Sequence, residues 1–209
     1  MAANLITLSR LGMLFLVFSL LAMGELRWHL LAFVLTILII VMDGIDGMVA
    51  RLLKEESEFG GVFDIVVDRI VENCFWIYFA AQGVISAWIP FIVISRGFFT
   101  DGIRSVALAQ GMTAFGEKTL QKSALGRALV TSKMSRGLYG FVKVLSFLFL
   151  IVIEALALPG SNGFIREEWQ PAILISGYAT VYLTIAFCIL RGIPVILESR
   201  VFLFSGRSK

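Results

Sequence analysis

Residues 28–68 read WHLLAFVLTILIIVMDGIDGMVARLLKEESEFGGVFDIVVD, and this stretch decides the fold. A largely apolar run reaches Met42 and is followed by Asp43 and Asp46. A short charged connection comes next, and then a second apolar run carrying Asp64 and Asp68. Neither run alternates apolar and polar residues, so helices are favoured over strands. A membrane-crossing helix needs about 20 mostly apolar residues. The stretch therefore reads as one helix leaving a bilayer and a second returning.

The same pattern extends outward. Apolar segments can be marked at Leu5–Met23, Trp28–Leu53, Phe59–Gln82, Val84–Ala109, Ser132–Leu158 and Pro171–Leu197. The chain has 209 residues, of which 58% are hydrophobic and 16% charged, with a mean hydropathy of +0.90. A soluble domain is about 45–50% apolar and about 25% charged, so a soluble globule is excluded, as are disorder and a collagen-like repeat. Cys74 and Cys188 both lie in apolar runs and read as buried thiols, not a disulfide framework. The net charge of +3 implies no surface for nucleic acid. The expected fold is an all-α integral membrane protein of six transmembrane helices, one domain over residues 1–209. The first segment carries Arg10 and no small-residue cleavage site, and reads as a retained helix.

The connections set the orientation. Arg51 and Lys54, then Lys118, Lys122 and Arg127, then Arg200, Arg207 and Lys209 fall on one side of the six segments. Positive residues mark the cytoplasmic side, which puts both termini there. Residues 110–131 are too polar to span, and an interfacial helix is expected within them. A multi-pass protein of a prokaryotic inner or cell membrane is the resulting expectation.

The acids carry the chemistry. Asp43 and Asp46 are three residues apart and point within about 60° of each other on a helix. Gly47 and Ala50 continue that face. Gly60, Asp64 and Asp68 follow at four-residue steps on the next helix. A short connection makes the two helices antiparallel neighbours, so four carboxylates converge near the cytoplasmic boundary. Each costs about 2.5–3.5 kcal/mol at a helix centre, and mutual repulsion adds to that. Divalent cations relieve the repulsion, and an oxygen-rich set suits Mg²⁺, Mn²⁺ or Ca²⁺. Two cations held by carboxylates suit in-line displacement at phosphorus. Gly44, Gly47, Gly60 and Gly61 leave room for a nucleotide, and Arg51 can hold a phosphate. A divalent-cation transporter is the rival reading. Its acids should lie at several depths across the bilayer, whereas these cluster near one face.

The residues spell Asp43-x2-Asp46-Gly47-x2-Ala50-Arg51-x8-Gly60-x3-Asp64-x3-Asp68, eight fixed positions within 26. This resembles the signature of the CDP-alcohol phosphotransferase family, whose members share a core of six transmembrane helices. The resemblance implies two divalent ions, Mg²⁺ or Mn²⁺, on Asp43, Asp46, Asp64 and Asp68. It makes Asp68 the general base, sets Gly47, Ala50, Arg51 and Gly60 against the CDP moiety, and implies a homodimer. The reaction it implies is attack by an acceptor hydroxyl on the alcohol-side phosphorus of a CDP-alcohol, with CMP leaving.

Further features bear on the substrates. Asn4, Thr7 and Arg10 share a face at i+3 steps. They read either as a helix cap with an arginine snorkelling to the interface, or as nucleotide contacts from Asn4 and Thr7. Arg96, Thr100 and Arg104 form one stripe, and Lys133, Arg136, Gly137 and Gly140 another. Intramembrane cations are expensive and normally functional. A basic pocket of Arg104, Lys133 and Arg136, with Arg96, suits the phosphate of an anionic acceptor; the alternative for Arg104, Lys133 and Arg136 is snorkelling to the cytoplasmic interface. Lys143 sits deeper and is offered Glu154 or another acid as a partner, while His29, beside Arg27 and Trp28, reads as an interfacial anchor. The opening motif and the pair Arg96 and Arg104 resemble the phosphatidylglycerophosphate synthases of the family. Ser132-Lys133-Met134-Ser135 resembles their Gly-Lys-x-Lys stretch and departs from it at Ser135. The resemblance implies CDP-diacylglycerol as donor and glycerol 3-phosphate as acceptor, with inositol phosphate or serine as alternatives.

Overall fold

The computed structural model describes residues 2–53, 58–109, 126–161 and 163–199, with the side chains of 2–3, 46–53, 58, 109, 127 and 131 outside the described set. The described residues form six long helices: α1 (Ala2–Leu21), α2 (Leu26–Leu53), α3 (Glu58–Ala81), α4 (Trp88–Ala109), α5 (Lys133–Leu156) and α6 (Gln170–Glu198). Among the described residues there is no strand. The anticipated segments match these helices to within a few residues. The largest difference lies before α4, where Val84–Ala87 belong to a turn. Gly83 ends α3 there with φ 74°, a left-handed conformation that costs glycine least. Of the stretch 110–131, residues 110–125 lie outside the described set, and Arg127–Thr131 form a π-helical turn.

Among the described residues, four helices are long and apolar enough to cross a membrane, within Asn4–Leu21, Leu26–Ile45, Lys133–Leu156 and Glu167–Glu198. α3 and α4 have comparable lengths of 24 and 22 residues. Their charged residues, among them Asp64, Asp68 and Glu72 on α3 and Arg96, Asp101 and Arg104 on α4, lower the apolar content of any long window.

Two compact units form, one from Met1–Ala87 with Val144–Tyr178, the other from Trp88–Lys143 with Ala179–Lys209. In the first, α1 packs against both α2 and α3. Leu14, Val17, Ile39, Val67, Phe75, Trp76 and Leu150 are buried. The Phe75 and Phe147 rings stack at 4.8 Å, and Phe18 stacks on Tyr78 at 5.0 Å. The outer faces are apolar too: Val62 is 62% exposed and Ile175 71%. Large apolar side chains outside with buried Thr36, Glu72 and Thr184 inside suit lipid surroundings.

Candidate functional site

Three helices of the first unit build an acidic cluster. Asp43 comes from α2, and Asp64 and Asp68 stand one turn apart on α3. Each offers a carboxylate oxygen within 4.8 Å of the others. The Arg10 guanidinium on α1 contacts all three. Its Nη1 donates to Asp64 Oδ1 at 3.2 Å, and its Nη2 donates to Asp68 Oδ1 at 2.7 Å and to Asp43 Oδ1. Arg10 is 2% exposed, whereas the three aspartates are 44%, 40% and 48% exposed. The cation therefore approaches from the protein interior, and the carboxylates open outward.

This donor set fits a hard divalent ion. Oxygens about 2.0–2.1 Å from Mg²⁺ on opposite sides stand about 4.2 Å apart, and about 5 Å apart around Ca²⁺. A triad spanning at most 4.8 Å needs only a small contraction to hold the smaller ion. The side chains of Asp46, Gly47, Ala50 and Arg51 lie outside the described residues, so the fourth acid and the proposed phosphate-binding Arg51 have no geometry to add. Thr7 is buried one turn before Arg10, Asn4 is half-buried, and Gly60 stands one turn before Asp64.

Three readings are corrected here. Arg10 does not snorkel to the interface: three carboxylates reward its burial more than water would reward its exposure. The sequence held a signal for this, because Arg10 shares a face with Thr7 and a surplus of acids needs a cation. His29 is 1% exposed and is no interfacial anchor. Its Nε2 lies 3.8 Å from Glu154 Oε2, and its Nδ1 is 3.1 Å from the Glu25 carbonyl. Tyr78 Oη donates to Glu154 Oε1 at 2.9 Å. Glu154, offered to Lys143 by the sequence, takes Tyr78 and faces His29 instead. Lys143 Nζ lies 5.6 Å from the centre of the Tyr139 ring. On α3 the acidic stripe continues to Glu72, which Arg69 pairs at 3.2 Å.

The second unit holds an arginine cluster. Arg96 on α4 lies across Gly192 on α6, where a β-carbon would come within 2.9 Å of Arg96 Cγ. Arg191, which sequence reasoning missed, is 5% exposed. Its Nη1 donates to the Leu129 carbonyl at 2.8 Å and to Ser135 Oγ at 2.7 Å, and its guanidinium carbon lies 5.5 Å from the Tyr139 ring centre. Arg96, Arg104 and Arg136 all repel Arg191 electrostatically. The four guanidinium groups thus form one basic region. Ser135, where the sequence departs from the Gly-Lys-x-Lys stretch it resembles, receives this arginine from α6. Arg104 also lies 3.9 Å from Asp101 on its own helix. Lys133 is exposed at the first turn of α5. Thr100 spends its hydroxyl on the carbonyls of Arg96 and Gly97, at 2.9 and 3.0 Å, so it donates to its own helix.

Comparison with known proteins bears on the family. A model described as CDP-alcohol phosphatidyltransferase matches residues 1–190. A Bacillus subtilis protein named CDP-diacylglycerol–glycerol-3-phosphate 3-phosphatidyltransferase is 26% identical over 121 residues, covering 52% of this chain and 62% of its own length. A putative cardiolipin synthase of Mycobacterium tuberculosis is 29% identical over 84 residues, 40% of each chain, and one of Mycobacterium bovis matches to the same extent. The matches span less than two thirds of these relatives.

Proposed function

Because the chain belongs to the CDP-alcohol phosphatidyltransferase family, we propose that it transfers a phosphatidyl group from CDP-diacylglycerol to sn-glycerol 3-phosphate and releases CMP. The observation that carries this reading is the meeting of Asp43, Asp64 and Asp68 from two helices within 4.8 Å. The name of the Bacillus subtilis relative supports the acceptor, and so does the cluster of Arg96, Arg104, Arg136 and Arg191.

In this reading Asp43, Asp46, Asp64 and Asp68 hold two divalent ions, Mg²⁺ or Mn²⁺. When bound, such ions neutralise the diphosphate and stabilise charge developing on it. Arg51 grips a donor phosphate, and Gly47, Ala50 and Gly60 leave room for the nucleotide, with Asn4 and Thr7 beside it. Arg96, Arg104, Lys133 and Arg136 hold the acceptor phosphate. Arg191 joins them from α6, in place of the lysine that Ser135 lacks. Arginine suits this task because its planar fork matches phosphate oxygens in pairs.

The acceptor oxygen forms a new bond to the phosphorus that carries the diacylglycerol. The bond from that phosphorus to the bridging oxygen breaks, and CMP departs with the electron pair. Asp68 takes the hydroxyl proton, so no covalent enzyme intermediate is needed. All six helices span the bilayer in this reading, with both termini cytoplasmic, and the enzyme works as a homodimer.

The test is CMP release from CDP-diacylglycerol by purified protein in detergent micelles. Glycerol 3-phosphate, inositol phosphate, serine, glycerol and phosphatidylglycerol are offered in turn. Glycerol 3-phosphate is expected to be the best acceptor by a wide margin. Equal release with serine or glycerol would remove the phosphate-binding role from the arginines and the acceptor assignment with it. No CMP release with any of the five would refute the transferase reading.

A further inference from the structure

Arg10 is the innermost group of the acidic cluster, and its placement constrains how the cluster takes up an ion. A single nitrogen, Nη2, touches Oδ1 of both Asp43 and Asp68, while Nη1 reaches Oδ1 of Asp64. One guanidinium therefore engages all three residues of the triad that offers oxygens to a metal. It comes from a different helix than any of the acids, and it is 2% exposed. A buried guanidinium stays charged at any ordinary pH, and a buried charge without partners is costly. The carboxylates and the arginine thus stabilise each other.

The same contacts oppose a divalent ion in two ways. An ion drawing on the Oδ1 atoms must share or take over oxygens that Arg10 already holds. A positive charge about 4–5 Å from a divalent ion also weakens its binding by a factor of at least about ten, even at the dielectric constant of water. We propose that Arg10 is the resident counter-cation of the aspartate cluster, keeping the acids assembled when no divalent ion is bound and competing with the ion for their oxygens. This rests on the metal-binding role of the aspartates. It assigns Arg10 a part distinct from substrate binding: the site stays folded when empty, at the expense of ion affinity.

The proposal is tested by Mn²⁺ binding to chelator-stripped, purified protein in detergent, followed by the electron paramagnetic resonance of free Mn²⁺, with thermal unfolding measured in parallel. Wild type, Arg10→Met, Arg10→Lys and Asp64→Asn are compared. Arg10→Met is expected to bind Mn²⁺ at least about tenfold more tightly than wild type. Its ion-free form should melt at a lower temperature, and Mn²⁺ should raise that temperature by more than it does in wild type. Arg10→Lys keeps the charge, but one ammonium reaches fewer carboxylates. It should bind Mn²⁺ more tightly than wild type by a smaller factor, and it carries the test if Arg10→Met does not fold. Asp64→Asn should weaken Mn²⁺ binding, which ties the signal to this cluster. Unchanged or weaker Mn²⁺ binding in the Arg10 variants, with wild type binding normally, overturns the counter-cation role and leaves the metal site standing. A wild type that binds no Mn²⁺ overturns the metal site itself.

Discussion

Arg136→Gln is the most informative change to the proposed acceptor site. The other cations are less clean probes. Arg191 also ties the Leu129 carbonyl and Ser135, so its loss disturbs the π-helical turn. Arg104 lies 3.9 Å from Asp101 and shares its charge with that acid. Lys133 is exposed, where water screens it. Arg136 is partly buried on α5 and close enough to Arg191 to repel it. A phosphate monoester brings about −1.5 to −2 charges into that repulsion at neutral pH. Losing one charge-assisted bond to it costs about 1.5–3 kcal/mol, or roughly a 10- to 150-fold rise in the KM for glycerol 3-phosphate. The KM for CDP-diacylglycerol should hardly change. Some loss of kcat is also expected, because the bound phosphate positions the attacking hydroxyl. The assay is initial-rate CMP release with each substrate varied in turn. Small and equal changes in both KM values would refute the reasoning, since an arginine that only meets water or lipid headgroups at the interface would produce that result.

Asp68→Asn should abolish transfer while the protein still binds CDP-diacylglycerol, measured by equilibrium binding of the labelled nucleotide; near-normal turnover would remove the base role. Asp43→Ala should lose both Mn²⁺ and CDP-diacylglycerol binding, and excess chelator should stop CMP release by the parent protein; full activity in chelator would refute the metal requirement. Tyr78→Phe removes the hydroxyl that Glu154 accepts at 2.9 Å, and Glu154 is only 14% exposed. The loss should destabilise the protein by about 1.5–3 kcal/mol in denaturant unfolding, and adding Glu154→Gln should cost less than the two single changes summed.

Much of the fold was legible because membrane helices are written in composition. The six apolar segments lie within a few residues of α1 to α6, and helix ends followed glycine and polar connections, as at Gly83. The acids were legible because a four-residue step puts Asp64 and Asp68 on one face of their own helix, whatever surrounds it. Charge also marked Arg96, Arg104, Lys133 and Arg136 as candidates, because lipid makes such residues expensive.

By itself the sequence determined which residues share a helix face, and that the chain is helical and apolar outside. Partnership across helices was decided only by the tertiary structure. Arg10 finds carboxylates 33, 54 and 58 residues away, Tyr78 reaches Glu154 across 76 residues, and Arg191 reaches Ser135 across 56. Periodicity carries no information about such pairs. The rotation and register at which two helices pack set them, and those depend on every side chain in the contact. An arginine within an apolar helix therefore looks the same in sequence whether it rises to water or turns inward, and only the packing of α1 against α2 and α3 put Arg10 among the aspartates.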